Sequence, residues 1–559
     1  MTTGQSASLA LQDEAGRAGF KRGSHIIGAE GSRQGAPPKC GEEAQALGPA
    51  FFTMSSGSST GRGCAPALPL PHAHQKTALC VMVLGTTSGA GKSWLTTALC
   101  RWYARQGWRV APFKAQNMSN NARVVSRGQE QWGEIGTAQY LQALAARAEP
   151  HVRMNPLLLK PEADTRSQVV LLGQARQDLS ALPWRERAPA VWPAITASLD
   201  ELRAAHDVVI IEGAGSPAEI NLQDSDVVNM RVARYCAAHC LLVSDIDRGG
   251  AFAHLYGTWA LLPDIDRRLI GGFVLNRFRG DQRLLAPAPQ KLEALTGIPV
   301  VAVIPMQTKY TLPEEDGLFD TPSAAEVGVP GSTIAIVLYP RVSNLDEFEP
   351  LRRLPGIRLV WARTPAQLRD ADWIILPGSK STASDLSWLR EQGLDEALRE
   401  HAEKGGQVLG ICGGAQMLGE SLVDLHGVDG NAQGLGLLPL ITEFSREKKL
   451  VRATVTLPDF LGAWQALSGL RLPVYEIRHG MTRQSLRMPV RELVPGLVWQ
   501  SQDSRILATY WHGMFESAKL RAALFGHHPN PGADDLDAIF EQMADGVQQW
   551  FVPARNEPV

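Results

Sequence analysis

The fold is decided by the stretch Leu84-Gly85-Thr86-Thr87-Ser88-Gly89-Ala90-Gly91-Lys92-Ser93. The apolar run 79–84 precedes this stretch, and the helix-like run 94–103 follows it. A strand, a glycine-rich loop, Lys-Ser and a helix in this order predict a phosphate-binding loop, in which backbone N–H groups and the helix N-terminus hold phosphate. We therefore predict that a nucleotide contacts Gly85, Thr86, Thr87, Ser88, Gly91, Lys92 and Ser93.

The spacing of this loop is one residue longer than in the common form, because Thr86 stands where the first glycine is expected. A glycine-rich turn that enters a helix without binding phosphate is the alternative. The strand and the helix flank the loop in the order that phosphate binding requires, which favours a nucleotide site.

A carboxylate for Mg²⁺ is expected at the end of a later strand, opposite the Ser93 hydroxyl. The run Asp207-Val-Val-Ile-Ile-Glu212 places Glu212 at such an end, and Asp245 ends another apolar run in the same way. A carboxylate in this position can also cap a helix. We predict Ser93 and Glu212 as metal ligands and leave Asp245 open between the two roles.

Composition excludes several classes of protein. The chain has 559 residues, 44% of them hydrophobic, and a formal net charge of −2, which gives no reason to expect nucleic acid or an anionic membrane surface as a partner. No run approaches the ~18 apolar residues that span a bilayer. The seven cysteines form no C-x-x-C pair, so we predict reduced thiols, no structural zinc site and a cytoplasmic protein. A homo-oligomer stays an open alternative.

The chain divides into a tail and two α/β series. Residues 1–76 are rich in Gly, Ser, Ala and Pro without a sustained period, which predicts a disordered N-terminal extension. Apolar runs that alternate with helical stretches then predict mostly parallel sheets in two domains, 77–325 and 326–559, joined by a polar linker at 314–332. The predicted strands are 79–84, 208–211, 240–243, 269–275, 300–304, 333–338, 358–361, 373–376 and 407–411.

A second reactive centre is predicted in the second series. In Gly410-Ile411-Cys412-Gly413-Gly414, glycines stand two residues before and two after the cysteine, between a strand and a helix. This is the G-x-nucleophile-x-G elbow, whose sharp turn exposes the nucleophile. A buried strand-end cysteine is the alternative, and glycines on both sides argue against it.

A cysteine nucleophile needs a base, and the sequence offers two histidines. His512 follows an apolar run about a hundred residues after Cys412, and His479 is the rival. Triad glutaminases usually carry an orienting carboxylate two residues after the histidine, where this chain has Met514, although Glu516 is nearby. The sequence therefore supports a Cys412–His512 dyad and leaves any third residue unidentified.

Longer motifs now make the chain recognisable, since it closely resembles the cobyric acid synthase family of cobalamin biosynthesis. The resemblance extends from about residue 78 to near the C-terminus. The motifs that carry it are Pro112-Phe-Lys114-Ala-Gln116-Asn117-Met118-Ser119, Met154-Asn155-Pro156, Lys160-Pro161, Ser167-Gln168-Val169-Val170, Glu212-Gly-Ala-Gly-Ser-Pro-Ala-Glu219-Ile-Asn221, Asp245-Ile-Asp247-Arg248, Asn276-Arg-Phe-Arg279-Gly-Asp281 and Leu376-Pro-Gly378-Ser379-Lys380-Ser381-Thr382.

This resemblance implies a fold and an activity. The first domain is expected to be a P-loop, dethiobiotin-synthetase-like amidoligase. The second is expected to be a class I glutamine amidotransferase-like α/β domain of the kind that lacks the usual third carboxylate. The implied reaction is amidation of four carboxylates (b, d, e and g) of adenosylcobyrinic acid a,c-diamide, with one L-glutamine and one MgATP for each.

The resemblance also assigns roles to two further residues. It implies that Asp226 acts in the synthetase site, where an ordinary loop acid is the alternative, and that Asn276 contacts the nucleotide base, where a strand-end cap is the alternative. Two positions depart from the family: Gly89 replaces a common Asp, and Val474 replaces a common Gly. We expect neither to abolish function.

Two rival functions remain. The a,c-diamide synthase of the same pathway shares both domain types, but the blocks 116–118 and 279–281 favour the four-fold amidase. A partition-type switch ATPase would carry a signature lysine early in the loop, where this chain has Thr87, and would have no reason to carry a nucleophile elbow.

Overall fold

The computed structural model describes residues 68–71, 77–163, 166–307, 331–485, 489–526 and 536–551, which lie in one compact unit. The predicted disordered extension, apart from 68–71, the predicted boundary at 325/326 and most of the predicted linker lie outside these residues. We call residues 77–307 the first half and residues 331–526 the second half.

The first half contains the five strands that its sequence predicts and seven further strands that lie between the first two of them in the chain. Its strands are β1 Leu79–Gly85, β2 Val110–Phe113, β3 Gln116–Met118, β4 Ala122–Gly128, β5 Gln131–Gly136, β6 Leu157–Ala163, β7 Arg166–Leu171, β8 Gln174–Ala175, β9 Val208–Glu212, β10 His239–Asp245, β11 Ile270–Phe278 and β12 Val300–Pro305. Its helices are α1 Lys92–Arg105, α2 Thr137–Ala145, α3 Gln177–Ser180, α4 Trp184–Ala205, α5 Met230–Cys236, α6 Ala251–Leu261, α7 Asp264–Arg267 and α8 Ala288–Thr296.

Six of these strands form a parallel sheet in the order β12-β11-β10-β1-β9-β2. Side chains of β1 alternate between the two faces: Cys80, Met82 and Leu84 join one apolar cluster, and Val81 and Val83 join another. The predicted parallel sheet with both faces covered is thereby confirmed. Because β1 is central, the loop that follows it opens at the middle of the sheet's carboxyl edge.

The second half continues with strands β13 Ser332–Val337, β14 Val342–Ser343, β15 Ile357–Ala362, β16 Trp373–Leu376, β17 Gly378–Ser379, β18 Gln407–Ile411, β19 Ser421–Val423, β20 Ala432–Gln433, β21 Leu440–Thr456, β22 Arg471–Gln484, β23 Arg491–Val494, β24 Val498–Gln500 and β25 Ile506–Thr509. Its helices are α9 Glu349–Arg352, α10 Pro365–Leu368, α11 Thr382–Glu391, α12 Leu394–Glu403, α13 Gly413–Met417 and α14 Ala518–Phe525. Seven strands form a second sheet, β15-β13-β16-β18-β25-β24-β23, in which the first five are parallel.

A last helix, α15 Leu536–Trp550, packs on the first half, although the predicted boundary assigned everything after residue 326 to the second domain. Its buried residues Ile539, Phe540 and Met543 share an apolar cluster with α1. Arg101 of α1 also pairs with Asp537 and Glu541 of α15, at 2.5 and 2.8 Å. The last helix therefore packs with the first half, although it follows the second half in the chain. Burial of an amphipathic helix face supplies the physical reason.

Small sheets of the first half lie against the second half. One has the order β3-β6-β7-β8, and β4 pairs with β5. β4 and β5 contact the long strand β21, and β4 also contacts β22. Within the described residues, no helix is long and apolar enough to cross a membrane.

Candidate functional site

Two glycines of the phosphate loop lie so close to neighbouring side chains that a Cβ would collide with them. Gly91 has φ +98°, and a Cβ there would lie 2.0 Å from Nδ2 of Asn276. A Cβ on Gly85 would lie 3.0 Å from Nζ of Lys92. Lys92 Nζ donates to the carbonyls of Thr87 (3.1 Å) and Gly215 (3.2 Å), so the ammonium lies across the loop. This geometry suits a cation that moves onto phosphate when a nucleotide arrives.

Glu212, at the end of β9, lies where the sequence predicts it. Its Oε1 accepts from the Ser93 hydroxyl and from Lys114 Nζ, each at 2.8 Å, and its Oε2 accepts from Gln142 Nε2 at 2.5 Å. Burial raises the pKa of Glu212, but the charge of Lys114 and these hydrogen bonds outweigh burial, so the net shift in pKa is downward. A hydroxyl beside an ionised carboxylate fits Mg²⁺ bound together with phosphate oxygens. Sequence reasoning missed Lys114 and Gln142 as partners of this carboxylate.

A cavity of about 1240 Å³ opens beside the loop. Its lining includes Lys92, Glu212, the run 214–217, the run 222–230 and Met118. Met118 is 51% exposed, and Ile220, beside the cavity wall, is 64% exposed. This volume exceeds the roughly 300–1,000 Å³ of ordinary small-molecule sites, so the cavity has room for a second ligand beside a nucleotide.

Three other predicted residues, Asp226, Asp245 and Asn276, have protein partners in this region. Asp226 lines the cavity, and its carboxylate accepts backbone N–H groups of Val228 (2.9 Å), Asn229 (2.8 Å) and Arg231 (3.1 Å), as a helix-capping acid does. Asp245 pairs with Arg277 at 3.0 Å and Arg248 at 3.3 Å, and the choice between its two predicted roles stays open.

Asn276 supports the phosphate loop through a hydrogen bond to its backbone. Its Nδ2 donates to the carbonyl of Ala90 at 2.9 Å, and only 6% of the residue is exposed. The predicted contact with a nucleotide base is a different role, because here the amide holds the loop backbone. Thr86 is tied in a similar way, through its hydroxyl to Ser244 at 3.1 Å.

The cysteine elbow has the geometry that its glycines predict. Cys412 stands between β18 and α13 with φ 52° and ψ −108°, a strained conformation for a residue with a side chain. A Cβ on Gly414 would lie 1.9 Å from the carbonyl oxygen of Leu376, and one on Gly410 would lie 2.5 Å from Leu418. Only glycine fits at either position, so the neighbouring strand and helix can close around the turn.

His512 is the histidine beside Cys412, and the presence of the cysteine raises its pKa. It is 1% exposed, and its ring stacks on Tyr475 with a centroid distance of 5.2 Å. The rival His479 instead bonds the carbonyl of Ser445 at 3.1 Å, and burial lowers its pKa to about 4.

A carboxylate completes the site from an unexpected position. Oε1 of Glu347 lies 2.9 Å from Nδ1 of His512, and its Oε2 accepts the backbone N–H of Gly513 at 2.8 Å. Burial lowers the pKa of His512, but Glu347 and Cys412 outweigh it and raise the pKa to about 10. The expected dyad is therefore a Cys–His–carboxylate arrangement in this structure, while Met514, at the usual carboxylate position, is buried.

The acid Glu347 lies on a 3-10 helix, Leu345–Phe348, that follows the first strand of the second sheet. The sequence carried one signal for this acid, the acidic run Asp346-Glu347-Phe348-Glu349 after a predicted strand. Residues that follow parallel strands meet at the same edge of a sheet, so this run could have been placed near the cysteine. Glu516, noted in the sequence as a nearby acid, pairs with Arg123 of the first half instead.

One strand of the first half lies between the two centres. Leu159 of β6 lines the cavity, and its neighbour Leu158 belongs to an apolar cluster against which Ile477 packs. The carbonyl of Ile477 accepts the Cys412 thiol at 3.3 Å. The residues Leu159, Leu158 and Ile477 therefore connect the cavity to the cysteine site, and we call these three residues the shared wall.

Comparisons with known proteins match a different family model to each half of the chain. Residues 81–319 match the family described as CobQ/CobB/MinD/ParA nucleotide binding domain, and residues 333–520 match the CobB/CobQ-like glutamine amidotransferase domain. The second match ends before α15, the helix that packs on the first half.

Several curated relatives are similar over nearly their whole length. The chain is 62% identical over 485 residues to a cobyric acid synthase of Paracidovorax citrulli, which covers 85% of this chain and 98% of the relative. It is 63% identical over 481 residues to a cobyric acid synthase of an Acidovorax species (85% and 97%) and 62% identical over 478 residues to one of Variovorax paradoxus (85% and 98%).

Proposed function

The chain belongs to the cobyric acid synthase family and is a glutamine-hydrolysing ligase, and from this premise we propose its substrate, chemistry and site residues. It amidates the b, d, e and g carboxylates of adenosylcobyrinic acid a,c-diamide to give adenosylcobyric acid. Each step consumes one L-glutamine and one ATP. The observation that carries the proposal is the shared wall between a phosphate-loop cavity and a Cys–His–carboxylate site.

The synthetase chemistry takes place in the cavity. A carboxylate is a poor electrophile, so its oxygen first attacks the γ-phosphorus of ATP, ADP leaves, and an acyl phosphate forms. Lys92 and the loop amides stabilise the charge that develops on the transferring phosphoryl group. Ser93 and Glu212 would hold Mg²⁺, which when bound neutralises phosphate charge. Asp226 keeps the cavity wall 226–231 in place through its three backbone contacts.

The glutaminase chemistry takes place at the elbow. The Cys412 thiol gives its proton to His512 as the sulfur attacks the glutamine side-chain amide, and the C–N bond then breaks to leave a thioester. His512, whose pKa is raised to about 10, holds the proton that the departing ammonia needs. Glu347 orients the imidazole through Nδ1. Water then cleaves the thioester to glutamate and restores the thiol.

Ammonia connects the two reactions. It must reach the acyl phosphate unprotonated, because ammonium has no free electron pair with which to attack the acyl carbon. The shared wall at Leu158, Leu159 and Ile477 is apolar, and such a lining does not supply protons. Attack on the acyl carbon then releases inorganic phosphate and leaves the amide.

The test follows product mass. The enzyme is incubated with MgATP, glutamine and the diamide corrinoid, and we expect four successive exchanges of a hydroxyl for an amino group, with one glutamate and one ADP for each. Amidation of cobyrinic acid at only two positions would instead indicate the a,c-diamide synthase. ATP turnover without glutamine and without a corrinoid product would indicate a switch ATPase.

A further inference from the structure

Arg123, in β4 of the first half, lies among residues of the second half. Only 5% of it is exposed, and its guanidinium pairs with the carboxylates of Asp346 and Glu516. The same group lies 5.1 Å from the ring centroid of Tyr475 and 5.5 Å from that of Tyr140. A buried cation of the first half is thus neutralised by two anions of the second.

The second-half partners of Arg123 surround the base of the glutaminase. Asp346 directly precedes Glu347, which holds Nδ1 of His512. Tyr475 stacks on the His512 ring, at an interplanar angle of 16°. Glu516 ends the short turn, Met514–Glu516, that follows His512 in the chain. Arg123 therefore contacts the neighbours of the base on three sides.

Residues at the start of β4 and just before it also contact the residues around His512. The carbonyl of Ala122 accepts from Asn344 Nδ2 at 2.9 Å, and that amide also donates to the Tyr475 hydroxyl at 2.8 Å. Asn121 Oδ1 accepts from the backbone N–H of Leu345 at 3.3 Å. Asn344 begins the 3-10 helix that carries Glu347, so the first half fixes where this helix starts.

The other end of this segment lies at the phosphate-loop cavity. Gln116, Asn117 and Met118, which form β3, line the cavity, and Arg123 follows five residues after Met118. A substrate that moves β3 therefore acts on the start of β4 through a very short stretch of chain.

We propose that Arg123 is a positioning residue of the glutaminase supplied by the synthetase half, and that segment 116–123 makes glutamine hydrolysis depend on the contents of the cavity. This rests on the proposed function. Guanidinium contacts hold the helix of Glu347, the Tyr475 ring and the turn after His512 in one arrangement. Without them the Glu347–His512 contact loosens, and a small misplacement of a base lowers the rate strongly.

The experiment compares Arg123→Met with Arg101→Met in the full-length chain. Arg101 is a matched control, because it is also buried, pairs with two carboxylates (Asp537 and Glu541) and lies 5.4 Å from the ring of Phe540, but on α1, away from His512. Glutamate release is measured with glutamine alone and with MgATP and the corrinoid added, across pH. Ammonia-driven amidation is measured in parallel.

For Arg123→Met we expect kcat for glutamine hydrolysis to fall at least about tenfold and its alkaline limb to move to lower pH, with ammonia-driven amidation within about twofold of wild type. We expect MgATP and corrinoid to stimulate hydrolysis in the wild type, and this stimulation should be lost in Arg123→Met. Arg101→Met should keep the hydrolysis rate and the stimulation. Arg123→Lys, which retains the charge without the two-sided contact, should fall in between.

The proposal is overturned if Arg123→Met keeps the wild-type hydrolysis rate and pH profile, or if hydrolysis and ammonia-driven amidation fall equally. Absence of stimulation in the wild type would overturn the dependence on the cavity. If Arg123→Met does not fold, Glu516→Gln removes one ion pair and is judged by the same criteria. If the wild type amidates no corrinoid, the proposed function fails, while basal hydrolysis by the two variants still tests Arg123.

Discussion

The phosphate loop, 85–93, and the cysteine elbow, 410–414, each join a central parallel strand to a helix. In the phosphate loop, positive φ occurs at Gly89 and Gly91, residues that adopt it without strain. In the elbow, positive φ falls on Cys412 itself, and the glycines on either side make room for its neighbours. In the proposed function the first turn holds phosphate with backbone N–H groups, whereas the second turn acts through one side chain. This difference predicts which activity is lost when each centre is mutated.

Removal of the elbow's side chain should have the largest effect. For Cys412→Ala we expect glutamine-driven amidation to fall by at least about 10⁴-fold, because the nucleophile is gone. Ammonia-driven amidation should persist, since the cavity is untouched. Product mass with glutamine or with an ammonium salt checks both. Loss of both activities would contradict two separate centres.

Removal of the phosphate loop's cation should reverse this pattern. For Lys92→Met we expect glutamine-driven and ammonia-driven amidation to fall together by roughly 10²–10³-fold, because one charge on the transferring phosphoryl group is lost. Glutamate release from glutamine alone should continue. If that release stopped as well, Lys92 would also support the elbow, and the comparison between the two turns would fail.

The Glu347 carboxylate sharpens the comparison, because it acts on the elbow through His512, whereas Glu212 bonds a residue of the phosphate loop directly. For Glu347→Gln we expect glutamine hydrolysis to fall roughly 10²-fold, less than the roughly 10⁴-fold typical of a serine triad, since a thiol is intrinsically more nucleophilic. The pKa of His512 falls once Glu347 no longer raises it, so the alkaline limb of hydrolysis moves to lower pH. Glu349→Gln, on the same acidic run but without a bond to His512, is the control.

The same substitution has a consequence for stability. In the wild type the His512 pKa is raised from its usual 6.5 to about 10. This pair therefore stabilises the fold fully below pH 6.5, and that contribution is lost as pH rises through 10. Thermal unfolding from pH 6.5 to 10 should show a steeper fall in Tm for wild type than for Glu347→Gln. Equal slopes would mean that Glu347 does not hold the imidazolium.

Sequence reasoning found the parts that depend on neighbouring residues. Nine strands of the two sheets, the glycines of both turns and the position of Glu212 follow from local patterns, and the structure has them as predicted. The strands β2, β23, β24 and β25 were not among the predicted ones. Contacts between residues far apart in the chain were missed. Glu347 reaches His512 from another strand end, and Lys114 and Gln142 reach Glu212 from elements whose pairing has no local signature.

The helix α15 shows the same limit at the scale of domains. Its apolar face, with Ile539, Phe540 and Met543, could cover either sheet, and nothing in its own sequence selects the first half. The selection comes from Arg101, whose buried charge requires the carboxylates Asp537 and Glu541. Charge complementarity of this kind is visible only once the two helices are seen together.

Asn276 gives the smallest expected effect and decides between two roles. If the amide supports the loop through Ala90, Asn276→Ala should raise KM for ATP by roughly 2- to 10-fold, the worth of one hydrogen bond, and should leave the preference for ATP over GTP unchanged. If the amide reads the base, that preference should fall. Ammonia-driven amidation with each nucleotide measures both, and Asn276→Asp is the matched variant because it keeps the shape but cannot donate to the carbonyl. A wild-type KM for ATP in both variants would mean that Gly89 and Gly91 maintain the loop conformation without the hydrogen bond from Asn276 to Ala90.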